Sequence, residues 1–216
     1  MMKVAASILN CNFLKLAQEI TKVQNAGIDA IHLDVMDGHF VPNLSFGVPI
    51  LKAIRPVVKV PIYTHLMVFY PEKMIKNFIE DSDGIIFHYE ATHKHIDCIK
   101  IIKDFNKFVG IALNPHTSIT VIRKYLSELN EVLIMSVQPG FGGQKFIPEA
   151  LDRIKLLRKL LAQNSLKVVI GVDGGITPQT ARLVWKAGAD LVVAGTAIFH
   201  SNNYRQVVKE LKCSIS

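Results

Sequence analysis

The sequence predicts an α/β chain folded as one closed (β/α)8 barrel of the TIM type. Two observations lead there, and a third narrows the choice. Short apolar or β-branched runs recur eight times, each followed by a longer amphipathic stretch. That alternation implies a parallel sheet covered by helical crossovers. Eight such units in 216 residues fit a closed barrel. No GxGxxG follows the first run, which argues against an open dinucleotide-binding sheet.

In chain order the predicted strands are "VAAS" (4–7), "AIHLDV" (30–35), "IYTHLMV" (62–68), "GIIFHY" (84–89), "VGIAL" (109–113), "VLIMSV" (132–137), "VVIGVD" (168–173) and "LVVAG" (191–195). The stretches between them read as helices. "FLKLAQEITKVQNAG" (13–27) sets Phe13, Leu16, Ala17, Ile20 and Val23 on one face and stops at Gly27. "TPQTARLVWKAG" (177–188) opens with Thr177 as N-cap and Pro178 at the first helical position, and closes at Gly188.

Half of the residues are hydrophobic, enough to bury a core, and no linker or low-complexity run divides the chain. A single domain over 1–216 is the expectation. The longest apolar runs are far too short to cross a bilayer, and the N-terminus reads as a first strand rather than a secretory signal. Cys11, Cys98 and Cys213 are scattered and form no CxxC pair, as packed thiols of a cytoplasmic protein would be. The net charge of +7 comes from 25 basic and 18 acidic residues. The basic residues recur at helical spacing, as in "RIKLLRKLL", without interleaved aromatics. They read as solvated helix faces, so neither nucleic acid nor membrane is an expected partner.

A barrel of this class carries its chemistry at the C-terminal ends of the strands. Ser7, His32, Asp34, His65, His88, Asn114, Ser136 and Asp173 fall there. Taken singly, such a His is most simply a hydrogen-bonded core residue, and an Asp before Gly a turn former. Together they ask for partners, because a buried strand end in His or Asp is costly unless paired. His32 and Asp34 lie two apart and share one face of their strand. His65 and Asp173 reach the same mouth from the third and seventh strands. Two imidazoles and two carboxylates form an N2O2 donor set for one divalent ion, whether Zn, Fe(II), Mn or Co. Glycine-rich stretches follow the sixth, seventh and eighth strands: Gly140, Phe141, Gly142 and Gly143; then Gly174 and Gly175; then Gly195 and Thr196. Loops of this kind can seat a phosphate on backbone N–H groups.

These residues carry a likeness. "SIL", "HLDVMDGHFVPN", "HLMV", "LNP", "PGFGGQ", "VDGGI" and "AGADLVVAGTAIF" resemble, in order and from Ser7 to about Phe199, the ribulose-phosphate 3-epimerase family. The resemblance implies interconversion of D-ribulose 5-phosphate and D-xylulose 5-phosphate in the pentose phosphate pathway. It implies metal ligands at His32, Asp34, His65 and Asp173, with Asp34 and Asp173 also the catalytic acid/base pair. It implies substrate contacts at Ser7, His65, Gly140, Phe141, Gly142, Gly143, Asp173, Gly174, Gly175, Gly195 and Thr196. Met36, Met67 and Met135 would line the reacting carbons. Dimers or hexamers are the implied assemblies.

Epimerisation at C3 removes a proton beside the C2 carbonyl and returns one on the opposite face of a cis-enediolate. That needs a base on each face and a sink for the oxyanion. The "GFGGQ" loop reads as a lid. The chain departs from the family pattern at Asn10, Cys11 and Asn12, at Thr196 (which keeps the hydroxyl), and at Phe69 and His116 near the rim. The nearest rival activity is 3-epimerisation of D-allulose 6-phosphate. A phosphate-binding decarboxylase or indole-forming barrel would want a lysine at a strand end, and Lys3 and Lys59 sit before their strands instead. A non-catalytic phosphosugar-binding barrel would not need two carboxylates.

Overall fold

The computed structural model describes residues 1–212, so Cys213 lies outside the described residues. Eight parallel strands close in sequence order, each pairing with its neighbours and the last with the first. They are β1 Lys3–Ser7, β2 Ala30–Met36, β3 Ile62–Met67, β4 Gly84–His88, β5 Phe108–Leu113, β6 Glu131–Met135, β7 Val169–Asp173 and β8 Leu191–Ala194. Every predicted strand is present, with ends shifted by two residues at most. The helices are α1 Leu16–Asn25, α2 Val48–Ile54, α3 Ile75–Phe78, α4 His95–Asp104, α5 Ala150–Gln163, α6 Pro178–Ala187, α7 Thr196–Phe199 and α8 Tyr204–Lys212.

Alternation along each strand divides the core in two. Outward residues such as Val4, Ile31, Leu33, Ile62, Leu66 and Ile170 pack under the helices. Inward residues Ala5, Ala30, Ile86, Ala112, Leu133 and Val193 fill the lumen. Small side chains on several strands leave the lumen room for the larger polar groups near its top.

The lower end shows how the sequence ties neighbouring strands. A carboxylate or amide just before each even strand accepts from an N–H of the preceding odd strand. Asp29 takes Val4, Asp83 takes Ile62, Asn130 takes Val109 and Asp190 takes Ile170, at 2.7–2.8 Å. Each bond satisfies a donor that strand pairing would otherwise leave open at the rim.

Helix α6 matches its prediction: Thr177 and Thr180 form a reciprocal capping box, Pro178 opens the helix, and Gly188 ends it at φ 110°. Gly27, at φ 92°, follows the end of α1 as expected. Two helical expectations are corrected. Phe13 and Ala17 do not join the buried face of the first helix. Residues Phe13–Lys15 form a separate 3-10 turn that carries Phe13 out, 54% exposed, against Phe46, while Ile20 and Val23 stay buried. Between β5 and β6 the chain winds as a 3-10 segment, Ile119–Glu128, rather than an α-helix. Cys11 and Cys98 are packed thiols as expected, and burial pushes both up to about 12.

Candidate active site

The register of the sheet assembles the site. Asp34 of β2 stands beside His65 of β3, Ser7 of β1 beside His32, and Asp173 of β7 beside Met135 of β6. His32, Asp34, His65 and Asp173 each offer one ligand atom, and the four atoms lie within 4.8 Å of one another. His32 Nε2 is 3.2 Å from His65 Nδ1 and 3.3 Å from Asp34 Oδ1. Asp34 Oδ1 lies 3.2 Å from His65 Nδ1. Asp173 Oδ2 lies 3.7 and 3.8 Å from the same two ring nitrogens. The Ser7 hydroxyl donates to the other Asp34 oxygen, Oδ2, at 2.6 Å.

No lysine or arginine pairs with either carboxylate among the described residues. Two buried acids must therefore find their positive charge elsewhere, in protons or in a cation. Burial disfavours a charged His32, but the Asp34 and Asp173 carboxylates beside it outweigh that and raise it to about 9. Burial and the charge of Asp34 push Asp173 up to about 7. Burial would also raise Asp34, yet charged His32 and the hydrogen bond it donates hold Asp34 well below the usual carboxylate range. Burial brings His65 down to about 3, so it is a neutral imidazole with a lone pair to give. A mixed N2O2 donor set around a deficit of positive charge suits a divalent ion of the zinc, iron or manganese kind.

Above the cluster opens a cavity of about 440 Å³. Its floor includes Ser7, Asp34 and Asp173, and its walls include Met36, Met67 and Met135. Gly140, Phe141, Gly142, Gly143, Gly174, Gly175, Gly195 and Thr196 border it as well. The structure thus brings together every predicted site residue except two at the cavity surface: His32 and His65 lie fully beneath the floor and do not line it. Gly175 shows why glycine is required. It sits at φ 61°, and a Cβ there would come within 2.5–2.6 Å of the Phe146 backbone.

Sequence reasoning missed several neighbours. Asn10, noted only as a departure from the family pattern, has its amide packed where a Cβ on Gly142 or Gly195 would go, so it wedges between two glycine turns. Lys145 and Phe146 line the cavity directly after the glycine loop. Glu131, at the start of β6, is 1% exposed, and its Oε2 has no partner. Its carboxyl occupies the space a side chain at residue 171 would need, which is why Gly171 faces it. Nothing local in the sequence separates an acid that opens an apolar strand from a solvated one.

Comparison with known proteins agrees with the geometry. The model of the ribulose-phosphate 3 epimerase family matches residues 3–199. The chain belongs to the ribulose-phosphate 3-epimerase family. It is 42% identical to the ribulose-phosphate 3-epimerase of Bacillus subtilis, covering 99% of this chain and all of that one. Identity is 37% to the Escherichia coli K12 enzyme, over 99% and 96% of the two chains. It is 42% to the chloroplastic enzyme of Arabidopsis thaliana, over 98% and 76%. Membership makes this chain an epimerase of the isomerase class. Among solved structures, 3-hexulose-6-phosphate synthase aligns at a TM-score of 0.71 with 21% identity, covering all of both chains. A KGPDC from Streptococcus mutans aligns at 0.75 with 15% identity, over 99% and 97%. These two show the shared barrel alone. Within the described residues no helix is long and apolar enough to cross a membrane.

Proposed function

We propose that this epimerase interconverts D-ribulose 5-phosphate and D-xylulose 5-phosphate by inverting C3 through a cis-enediolate. The observation that carries the reading is the pair of carboxylates at the cavity floor whose proton affinities diverge. Asp34 is held ionised, and Asp173 is raised to about 7. Two acids brought by β2 and β7 to one cavity floor, with unequal proton affinities, suit a base and an acid on opposite faces of the sugar.

In this reading Asp34 takes the C3 proton, and Asp173 delivers its own to the opposite face of the planar intermediate. The roles exchange in the reverse direction. The Ser7 hydroxyl, bonded to Asp34 Oδ2, orients that carboxylate. A divalent ion held by His32, Asp34, His65 and Asp173 would act as Lewis acid toward the charge developing on the sugar oxygens. Met36, Met67 and Met135 exclude water from the reacting carbons with soft apolar surface. The glycine turns at 142–143, 174–175 and 195, with Lys145 beside them, supply donors and charge for the phosphate. Phosphate binding positions C3 over the acids. Phe141 and its glycines act as the lid. The reading also places the enzyme in the cytoplasm, in the pentose phosphate pathway. It acts there as a homo-oligomer, a dimer or hexamer. The exposed Phe13, Leu14 and Leu44 supply apolar surface for that association.

The test is to incubate the enzyme with ribulose 5-phosphate in heavy water. Xylulose 5-phosphate carrying deuterium at C3 is expected. The yield should fall on chelation and return when metal is added back. Parallel incubation with allulose 6-phosphate reads the hexose alternative. Turnover of neither sugar would leave a binding protein and end the proposal.

A further inference from the structure

The His65 ring has two nitrogens, and only one faces the metal cluster. The other, Nε2, lies 2.9 Å from His88 Nε2, with the two rings stacked at 4.9 Å between centroids. His88 is fully buried, and its far nitrogen, Nδ1, lies 3.3 Å from Glu90 Oε2. The other oxygen of Glu90 accepts from the Asn114 N–H at 2.8 Å and from the Thr117 hydroxyl. Phe40 covers the outer side of His88 at 4.8 Å, and Phe69 packs edge-on against Phe40. Arg153 of α5 donates to the carbonyls of Asn114 and Thr117, holding the turn that grips Glu90. None of these groups touches the cavity.

We propose that Glu90 is a positioning residue that fixes the tautomers of His88 and His65 and thereby makes His65 Nδ1 a metal-ligating lone pair. The inference rests on the reading that the His/Asp cluster holds a divalent ion. The proton count runs inward from Glu90. A carboxylate only accepts, so His88 carries its proton on Nδ1 and donates it to Glu90. His88 Nε2 is then a lone pair and accepts. His65 must supply the proton between the rings from Nε2. Its Nδ1 is left unprotonated, at the point where Asp34, Asp173 and His32 converge. The hydrogen bonds from His88, Thr117 and Asn114 keep Glu90 below the usual carboxylate range despite burial. Such outer partners of a ligating imidazole typically change metal affinity 10–100-fold when altered.

The chain of donors makes an unusual demand on mutants. In Glu90→Gln the amide oxygen is wanted by the Asn114 N–H and the Thr117 hydroxyl. The amide NH2 is thereby turned toward His88 Nδ1. His88 must then accept on Nδ1 and carry its proton on Nε2, and His65 must carry its own on Nδ1, where the metal belongs. Glu90→Ala forces nothing and leaves both rings free to choose. The near-isosteric variant should therefore be the more damaging one, opposite to what packing alone predicts.

The experiment uses the full chain stripped of metal. Ring nitrogen shifts from long-range proton–nitrogen NMR report the tautomers, and competition with a chromophoric chelator reports zinc affinity. In the wild type His65 should be the Nε2–H tautomer and His88 the Nδ1–H tautomer. Glu90→Gln should reverse both and weaken zinc by about 10–100-fold, with Glu90→Ala in between. An Nδ1–H tautomer at His65 in the wild type would overturn the proposal even if neither variant folded. So would wild-type tautomers and zinc affinity in Glu90→Gln, or a larger loss in Glu90→Ala. Failure of zinc to bind the wild type at all would sink the metal reading instead, and the tautomer spectrum tells the two failures apart.

Discussion

Replacing Glu131 by Gln should stabilise the metal-free protein in a pH-dependent way. The Glu131 carboxyl lies in the barrel lumen, 1% exposed, with Oε2 unpartnered. Burial is the largest effect on it; charged His32 pulls the other way, and Asp173 and Asp190 add to the rise, from 4.5 to about 7. A carboxyl that holds its proton more tightly when folded contributes fully below pH 4.5. That contribution is lost as pH rises through 7. At about 1.4 kcal/mol per tenfold change in proton affinity, keeping the acid costs about 3 kcal/mol at pH 8 and under about 1 kcal/mol at pH 5. Gln keeps the shape and cannot ionise. Its extra amide hydrogens carry a penalty of about 1 kcal/mol, but equally at both pH values, so the difference between them isolates ionisation. Urea unfolding of both proteins with chelator present, followed by circular dichroism at pH 5 and pH 8, gives the two stability differences. The gain from Gln at pH 8 should exceed that at pH 5 by about 2 kcal/mol. Equal differences at the two values would show that Glu131 is solvated or paired and would refute the reasoning.

Three more predictions concern the site. Asp34→Asn and Asp173→Asn should each lower kcat by at least about 10²–10⁴-fold while leaving the circular dichroism spectrum unchanged; near-normal turnover in either would contradict the two-base scheme. Metal loading should release a proton, because the incoming cation displaces the one on His32, which is raised to about 9. Calorimetry in buffers of different ionisation enthalpy should count close to one proton per metal below pH 9, so affinity should climb with pH up to there. Gly175→Ala must move the Phe146 backbone and strain a positive-φ position, so KM for the sugar phosphate should rise at least about fivefold, for a distortion of about 1–3 kcal/mol. Steady-state kinetics with an unchanged KM would place the phosphate elsewhere.

Much of this was legible along the chain, for reasons that differ from residue to residue. The eight strands were readable because each carries an uninterrupted β-branched or apolar run. Thr177, Pro178 and Gly188 were readable because capping is local chemistry. His32 and Asp34 announced themselves by sharing one face of a strand that should otherwise be apolar. Phe13 misled because its spacing fits the α1 stripe, yet a 3-10 turn with another pitch intervenes. Glu90 and Glu131 were unreadable as site residues. A glutamate after a strand, or opening one, looks like any solvated acid until the partners from other strands are known.

The order of the strands, the donor types at their ends and the glycines after them are properties of the sequence itself, because each depends on residues within a few positions. Which nitrogen of His65 is free, which aspartate keeps its charge and which carries a proton are not. They depend on burial and on distances of about 3–4 Å between groups 31 to 141 residues apart in the chain. Only closing the barrel creates those distances and removes the water that would otherwise screen them.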